Sequence, residues 1–254
     1  TLCIRRKEGK LVEEWLSGSE MNYILRHTVL QTQADIFIPG GGRPRTLNEA
    51  NIKDFLDESG KPTSLAIIEG ANLYLTPFAR RSLEDMGVLI IKDSSSNKGG
   101  VICSSFEVLC CLCLQPEEFI EHKDKLVQEI LAIIKQKALD EAKLLLSTHK
   151  TTGRYLTEIS EDISLHINSY MYELLEYLET IELSKDPQDP LNQALLNYCP
   201  PTLRQRFEDR IFLEIPDIHK KAIIACHMAS KIVYNKGLSW SPHIVDILPL
   251  ISQD

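Results

Sequence analysis

The sequence predicts an α/β fold followed by an all-α region: a small parallel sheet with helices, then a helical domain. Over about residues 33–107, short aliphatic runs alternate with turn residues and helical stretches. This alternation is typical of parallel βαβ units whose strands are buried on both faces. From about residue 115, apolar residues recur at helical spacing instead. We therefore predict two domains, 1–115 and 116–254.

Three short apolar runs are the predicted strands, and each ends at a turn. They are Ala34–Ile38, Leu65–Ile68 and Val88–Ile91. Between the first two, Thr46 or Asn48 is a candidate N-cap for a helix with Ile52, Phe55 and Leu56 on one face. The pattern therefore predicts one helix in the first crossover.

The second crossover carries a clearer helix start. Thr76 can cap a helix, and Pro77 suits its first position, where the missing N–H is harmless. The predicted helix carries Phe78, Leu83 and Met86 and ends at Gly87.

Three longer helices are predicted in the C-terminal region. Pro116 opens the first, with a stripe of apolar residues at helical spacing: Phe119, Leu126, Ile130, Ile133, Ile134 and Leu139. The others run over about 158–183 and 217–234, separated by a polar loop at 185–190. We expect their Met and aromatic residues, and Trp15 and Trp240, to be packing residues.

Composition narrows the function classes. The chain has 254 residues, 43% of them hydrophobic, and a net charge of -8. That charge argues against a surface that neutralises nucleic-acid phosphates. No apolar run approaches the roughly 20 residues of a bilayer span. We expect no nucleic-acid and no membrane partner.

The seven cysteines indicate free thiols. Cys110, Cys111 and Cys113 are too close for a normal disulfide and lack the usual spacing of metal ligands. We expect buried thiols on a core helix and, hence, a reducing compartment, the cytoplasm or the mitochondrial matrix. His219 and His227 lack the carboxylate or thiol pattern that would complete a metal site, so none is predicted.

The first segment that could carry chemistry is Pro39-Gly40-Gly41-Gly42-Arg43-Pro44, directly after a predicted strand. Ligands of open α/β sheets lie at the carboxyl ends of strands, and glycines allow close backbone approach. An ordinary strand-to-helix turn is the alternative. No GxGxxG fingerprint occurs in the chain.

Two further segments follow the next two strands. Glu69-Gly70-Ala71-Asn72 places small residues beside an amide that can both donate and accept. A nicotinamide carboxamide or a ribose hydroxyl would suit that amide, although a capped turn is the common alternative. The last segment, Asp93-Ser94-Ser95-Ser96-Asn97-Lys98-Gly99-Gly100-Val101, combines an amide and glycines with nearby hydroxyls, and Ser104 and Glu107 follow. Such a loop could instead bind phosphate, but the P-loop pattern is missing.

The order of these segments resembles the second half of the dinucleotide-binding domain of glutamate dehydrogenases. The matching residues are Pro39, Glu69 to Asn72, Thr76-Pro77, Asn97, Gly99 to Val101, Ser104 and Glu107. The Gly-Gly-Arg-Pro motif at 41–44 and the helical region after 115 resemble the large NAD-specific class of glutamate dehydrogenases. The resemblance implies a partial Rossmann-like sheet in 1–115, without its N-terminal half, and a helical C-terminal domain.

The resemblance also implies site roles. The residues matching Gly40, Gly41, Asn72 and Asn97 lie along the nicotinamide riboside of NAD, and the one matching Ser104 bonds the distal carboxylate of L-glutamate. The implied reaction yields 2-oxoglutarate and ammonia. Its lysine and acid/base carboxylate match nothing in this chain.

We therefore expect an N-terminally truncated fragment, inert alone, of an enzyme that is a homo-oligomer. The chain could instead be a helical regulatory or oligomerisation module of that enzyme. It could also belong to a dehydrogenase of apolar amino acids.

Overall fold

The computed structural model describes residues 1–41, 43–240, 242–243 and 246–247. Gly42 of the predicted glycine segment lies outside them. Contacts group the chain into two compact units, Thr1–Asn97 and Lys98–Asp254. The domain boundary at 115/116 stays a prediction.

A hairpin that the sequence analysis did not predict begins the first unit. Strands β1 (Leu2–Lys7) and β2 (Lys10–Trp15) pair antiparallel. Glu8 and Gly9 make the turn with φ of 48° and 82°, which suits a two-residue hairpin. Trp15 is 80% exposed, so its prediction as a packing residue is wrong. Helix α1 (Gly18–His27) and a 3-10 turn (Thr28–Gln31) follow.

The predicted parallel sheet is confirmed. Its strands, in spatial order, are β3 (Ala34–Phe37), β4 (Ser64–Ile68) and β5 (Leu89–Ile91). Ile67 and Ile90 are fully buried on one face, and neighbouring registers place Phe37 beside them. The opposite face is open: Ile36 is 51% and Leu89 42% exposed. Burial of the strands on both faces, as predicted, is therefore wrong for this structure.

The predicted helix between β3 and β4 is also wrong. Within the described residues of this crossover, the only helical segment is a 3-10 turn, Ile52–Phe55. The Asn51 amide donates to the Thr46 carbonyl (2.8 Å), and the Asn48 side chain accepts the Ala50 N–H (2.9 Å). Such bonds between Asn side chains and backbone compete with helix formation.

The helix start in the second crossover is confirmed. Helix α2 spans Pro77–Asp85, and the Thr76 hydroxyl accepts the Ala79 N–H at 3.2 Å. Leu83 is buried, but Phe78 and Met86 are about half exposed. After β5, the single turn α3 (Asp93–Ser96) ends the first unit at Asn97.

The second unit is helical in its described residues. Its helices are α4 (Gly99–Cys113), α5 (Pro116–Thr152), α6 (Leu156–Glu179), α7 (Pro190–Tyr198), α8 (Pro201–Arg206), α9 (Glu208–Glu214) and α10 (Asp217–Lys236). The three predicted helices correspond to α5, α6 and α10, whereas α4 and the short helices α7 to α9 were not delimited from sequence. Leu139, placed on the α5 stripe, is 45% exposed.

The cysteine prediction is half right. Cys110 and Cys113 are buried on α4, and burial raises the pKa of their thiols to about 12 and about 11. Cys111, between them, is exposed because it lies on the outer side of the same helix. Within the described part of the chain, no helix is long and apolar enough to cross a membrane.

Candidate functional site at the strand ends

The loops that follow β3 and β4 touch through their backbones. A Cβ at Gly70 would lie 3.0 Å from the Pro39 carbonyl oxygen and 3.7 Å from the Gly40 Cα. This distance is shorter than most real Cβ contacts, so any other residue at 70 would push the Pro39 backbone away by a few tenths of an ångström. The structure thus brings the first two predicted segments together.

Gly40 and Gly41 differ from Gly70 in this respect. Both are exposed, and neither has a φ in the left-handed region. Apart from each glycine and its two chain neighbours, no atom of the described residues lies within 4 Å of a Cβ placed at either position. Neither a left-handed backbone conformation nor crowding therefore explains why positions 40 and 41 are glycine. Among the described residues, nothing fills the space next to these two positions at the end of β3.

The second and third segments meet through their amides. The Asn97 Nδ2 donates a hydrogen bond to the Asn72 Oδ1. This bond uses the Asn72 side-chain carbonyl and one Asn97 hydrogen, and within the described residues it leaves the Asn72 amino group and the Asn97 side-chain carbonyl for another molecule. A donor and an acceptor on two joined amides match the needs of a primary carboxamide or a vicinal diol.

A buried ion pair supports the start of the second loop. The Glu69 carboxylate is fully buried and accepts two hydrogen bonds from the Arg80 guanidinium of α2, at 2.7 and 2.9 Å. Burial raises the pKa of Glu69, and the facing Arg80 opposes that rise. The pairing keeps a charged group inside the unit because both its oxygens are satisfied.

The turn α3 holds the same loop from the other side. The Ser96 hydroxyl donates to the Glu69 carbonyl (2.6 Å), and the Asp93 carboxylate accepts the Leu73 N–H (2.8 Å). The sequence analysis placed Asp93 and Ser96 in the third candidate segment without assigning them partners, and it did not single out Arg80. Those partners are fixed only by the fold.

Ser104 lies on α4 in the second unit, where it is exposed. The next residue, Ser105, donates to the Ile102 carbonyl (2.8 Å) and shares a hydrogen bond with the Tyr198 hydroxyl (3.2 Å). The Tyr198 ring stacks on Phe106 with centroids 5.0 Å apart. The two serines are therefore not equivalent: Ser105 is bonded to neighbouring groups, and Ser104 faces outward.

Lys98 is engaged in an ion pair. Its Nζ lies 2.8 and 2.6 Å from the two oxygens of Glu141, a buried residue of α5. The Tyr234 hydroxyl also donates to Glu141, at 2.8 Å. Burial and the Glu141 charge raise the pKa of Tyr234. Within the described residues, no group of three or more His, Cys, Asp or Glu could hold a metal ion.

A parallel sheet with glycine and amide loops at its strand ends is typical of dinucleotide-binding α/β proteins. The sequence profile of the Glutamate/Leucine/Phenylalanine/Valine dehydrogenase family matches residues 2–159. The chain belongs to this family, which confirms the family-level resemblance described above.

Several curated relatives extend the match into the helical unit. Glutamate dehydrogenase 2 of Dictyostelium discoideum is 35% identical over 81% of this chain. A probable NAD-specific glutamate dehydrogenase of Schizosaccharomyces pombe is 33% identical over 86%, and an NAD-specific glutamate dehydrogenase of Saccharomyces cerevisiae is 33% identical over 80%. The matched part is only 20–21% of each relative, so the chain spans about a fifth of their length.

Proposed function

We propose that this chain is part of an NAD-dependent glutamate dehydrogenase. The observation that carries the proposal is the Asn97–Asn72 amide pair at the strand ends. The enzyme would pass a hydride from the Cα of L-glutamate to NAD, and water would hydrolyse the resulting imine to 2-oxoglutarate and ammonia. The names of the relatives support both substrate and cofactor.

The strand-end loops would bind the nicotinamide riboside. The backbone at Gly40 and Gly41 would pass close to the ring, which the open space around them allows. The unused donor of Asn72 and acceptor of Asn97 would bind the carboxamide or the ribose hydroxyls. Fixed hydrogen bonds of this kind orient the ring for hydride transfer.

Ser104 would bind the distal carboxylate of glutamate. An exposed hydroxyl suits this role because a hydrogen bond to an anionic oxygen is stronger than one to a neutral acceptor. A dehydrogenase of apolar amino acids, the alternative reading, needs no donor at this position.

This chain would supply no catalytic lysine or carboxylate. Lys98, the lysine next to the cofactor segment, is already paired with Glu141, and no residue here matches the family's catalytic groups. We expect the 254-residue chain alone to produce no NADH from glutamate and NAD. Steady NADH formation by the chain alone would contradict this part of the proposal.

The helical part, 116–254, would form a separate domain that contributes to a homo-oligomer of the parent enzyme. Exposed apolar side chains on its helices support this reading: Leu131, Leu165, Leu213 and Ile218 are 54–79% exposed. Light scattering of the parent enzyme tests it, and a strictly monomeric enzyme would contradict it. Its free thiols fit a location in the cytoplasm.

The proposal is tested in the full-length enzyme that contains this sequence. Ser104→Ala removes a hydrogen bond to a charged group, so kcat/KM for glutamate should fall by about 10–100-fold. The rate with leucine should change little. Ser147→Ala is the matched control because, among the described residues, the Ser147 hydroxyl bonds only the Leu144 carbonyl of its own helix. An equal loss with both amino acids, or none, would contradict a role for Ser104 in carboxylate binding.

A further inference from the structure

We propose that Asp93 and Ser96 are positioning residues that hold the Asn72 amide in its binding orientation. The inference rests on the proposed function, in which Asn72 contacts the nicotinamide riboside. Neither residue faces the open space itself; both act on the backbone of the Asn72 loop.

The two side chains bond the loop at both of its ends. Ser96 donates to the carbonyl of Glu69, three residues before Asn72, at 2.6 Å. Asp93 accepts the N–H of Leu73, the residue directly after Asn72, at 2.8 Å. Asn72 lies between these two fixed points, which restrict the movement of its backbone.

The Leu73 contact holds an unfavourable backbone conformation. Leu73 has a φ of 53°, in the left-handed region that leucine rarely adopts. The Asp93 carboxylate accepts its N–H, and the Leu73 carbonyl accepts the Arg45 N–H at 2.7 Å. A bond at each side of Leu73 stabilises this conformation, so the backbone directly after Asn72 is held in place.

The same turn also supplies the partner amide. Asn97 directly follows α3, and its N–H donates to the Asp93 carbonyl at 3.0 Å. The Asn97 side chain then bonds Asn72. A single helical turn of four residues therefore sets the positions of both amides, and loss of either contact should misalign them together.

The test measures NADH affinity by fluorescence titration of the full-length enzyme. Ser96→Ala and Asp93→Ala should each raise the Kd for NADH by about 3–10-fold, the effect of one hydrogen bond. The conservative variants Ser96→Thr, which keeps a hydroxyl, and Asp93→Asn, which keeps an oxygen acceptor for Leu73, should restore affinity to within about twofold.

Thr63→Val is the matched control in the same unit. The Thr63 hydroxyl donates to the Leu30 carbonyl at 2.8 Å. Thr63 directly precedes β4, so this bond lies at the opposite end of the strand from the Asn72 loop. It should lower the melting temperature but leave the Kd for NADH unchanged. If Ser96→Ala and Asp93→Ala change the Kd no more than Thr63→Val does, the positioning proposal is overturned.

A second measurement does not depend on cofactor binding. Hydrogen exchange at residues 69–73 should accelerate in Ser96→Ala and Asp93→Ala and stay unchanged in Thr63→Val; unchanged exchange in all three would overturn the proposal. Asn72→Ala separates the two claims. If it leaves the Kd for NADH unaltered while exchange responds as expected, the proposed role of Asn72 fails and the control of its loop by α3 stands.

Discussion

The loops after β3 and β4 begin alike in sequence, each with glycine at a strand end, yet they differ in how they are held. The loop from Glu69 to Leu73 is fixed by a buried ion pair, two side-chain bonds from α3 and a backbone contact at Gly70. At Gly40 and Gly41, by contrast, neither a left-handed φ nor a close contact with other described residues requires glycine. The difference separates residues needed for folding from residues available for binding.

This comparison assigns different causes to the same residue type. At Gly70, a Cβ would be crowded by the Pro39 carbonyl oxygen. Gly40 and Gly41 leave space that nothing in the described structure fills. Substitutions in the two loops should therefore affect different measurements: stability in the first case and cofactor affinity in the second.

The largest loss of stability is expected when the Glu69–Arg80 ion pair, which holds the start of the loop from Glu69 to Leu73, is broken. Arg80→Met leaves the fully buried Glu69 carboxylate without its partner. Breaking one side of a buried pair costs about 3–5 kcal/mol of unfolding free energy. Urea unfolding of the 254-residue chain measures the loss.

The double variant Glu69→Gln with Arg80→Met is the control for this prediction. It removes the buried charge together with its partner, and a neutral replacement of a buried pair is often tolerated. Most of the lost stability should return. A double variant as unstable as Arg80→Met would mean that the packing of the arginine, rather than the charge of Glu69, accounts for the loss.

A smaller effect is expected for Gly70→Ala. The added Cβ would lie 3.0 Å from the Pro39 oxygen, and backbone must move to admit it. Overpacking of this kind costs about 1–3 kcal/mol. Because the move shifts both loops, the Kd for NADH should rise as well. Unchanged stability in urea would show that the two loops separate easily.

The smallest stability effect is expected for Gly41→Ala. The position is exposed, its φ lies outside the left-handed region, and the described structure leaves room for a methyl group. The unfolding free energy should change by less than about 0.5 kcal/mol. A loss as large as that of Gly70→Ala would erase the distinction between the loops.

The sequence predicted the parts of the fold that depend on local patterns. The strands and the helix start at Thr76-Pro77 could be predicted from the sequence because burial and capping favour particular residues at fixed spacings. The hairpin at 2–15 was missed because its two strands, Leu2–Lys7 and Lys10–Trp15, do not alternate apolar and polar residues. The short turn at Ile52–Phe55 was mistaken for a helix because asparagine side chains bond the backbone there.

The exposed residues of the candidate site could be predicted from the sequence. The contacts that hold their loops in place could not. The family resemblance identified Asn72 and Asn97, and the structure joins their amides. Their roles toward cofactor, like those of Gly40, Gly41 and Ser104, remain predictions. The pairings of Arg80 and Asp93 could not be found in advance, since contacts between residues eleven or twenty apart depend on how the chain folds back.

The central claim is that the open space at Gly40 receives nicotinamide, and Gly40→Val tests it most directly. The side chain would extend into space left empty by the described residues, so the melting temperature should stay unchanged. In the full-length enzyme, the Kd for NADH should rise at least about tenfold, since bulk would block the close approach of the ring to the backbone. An unchanged Kd with an unchanged melting temperature would contradict the claim.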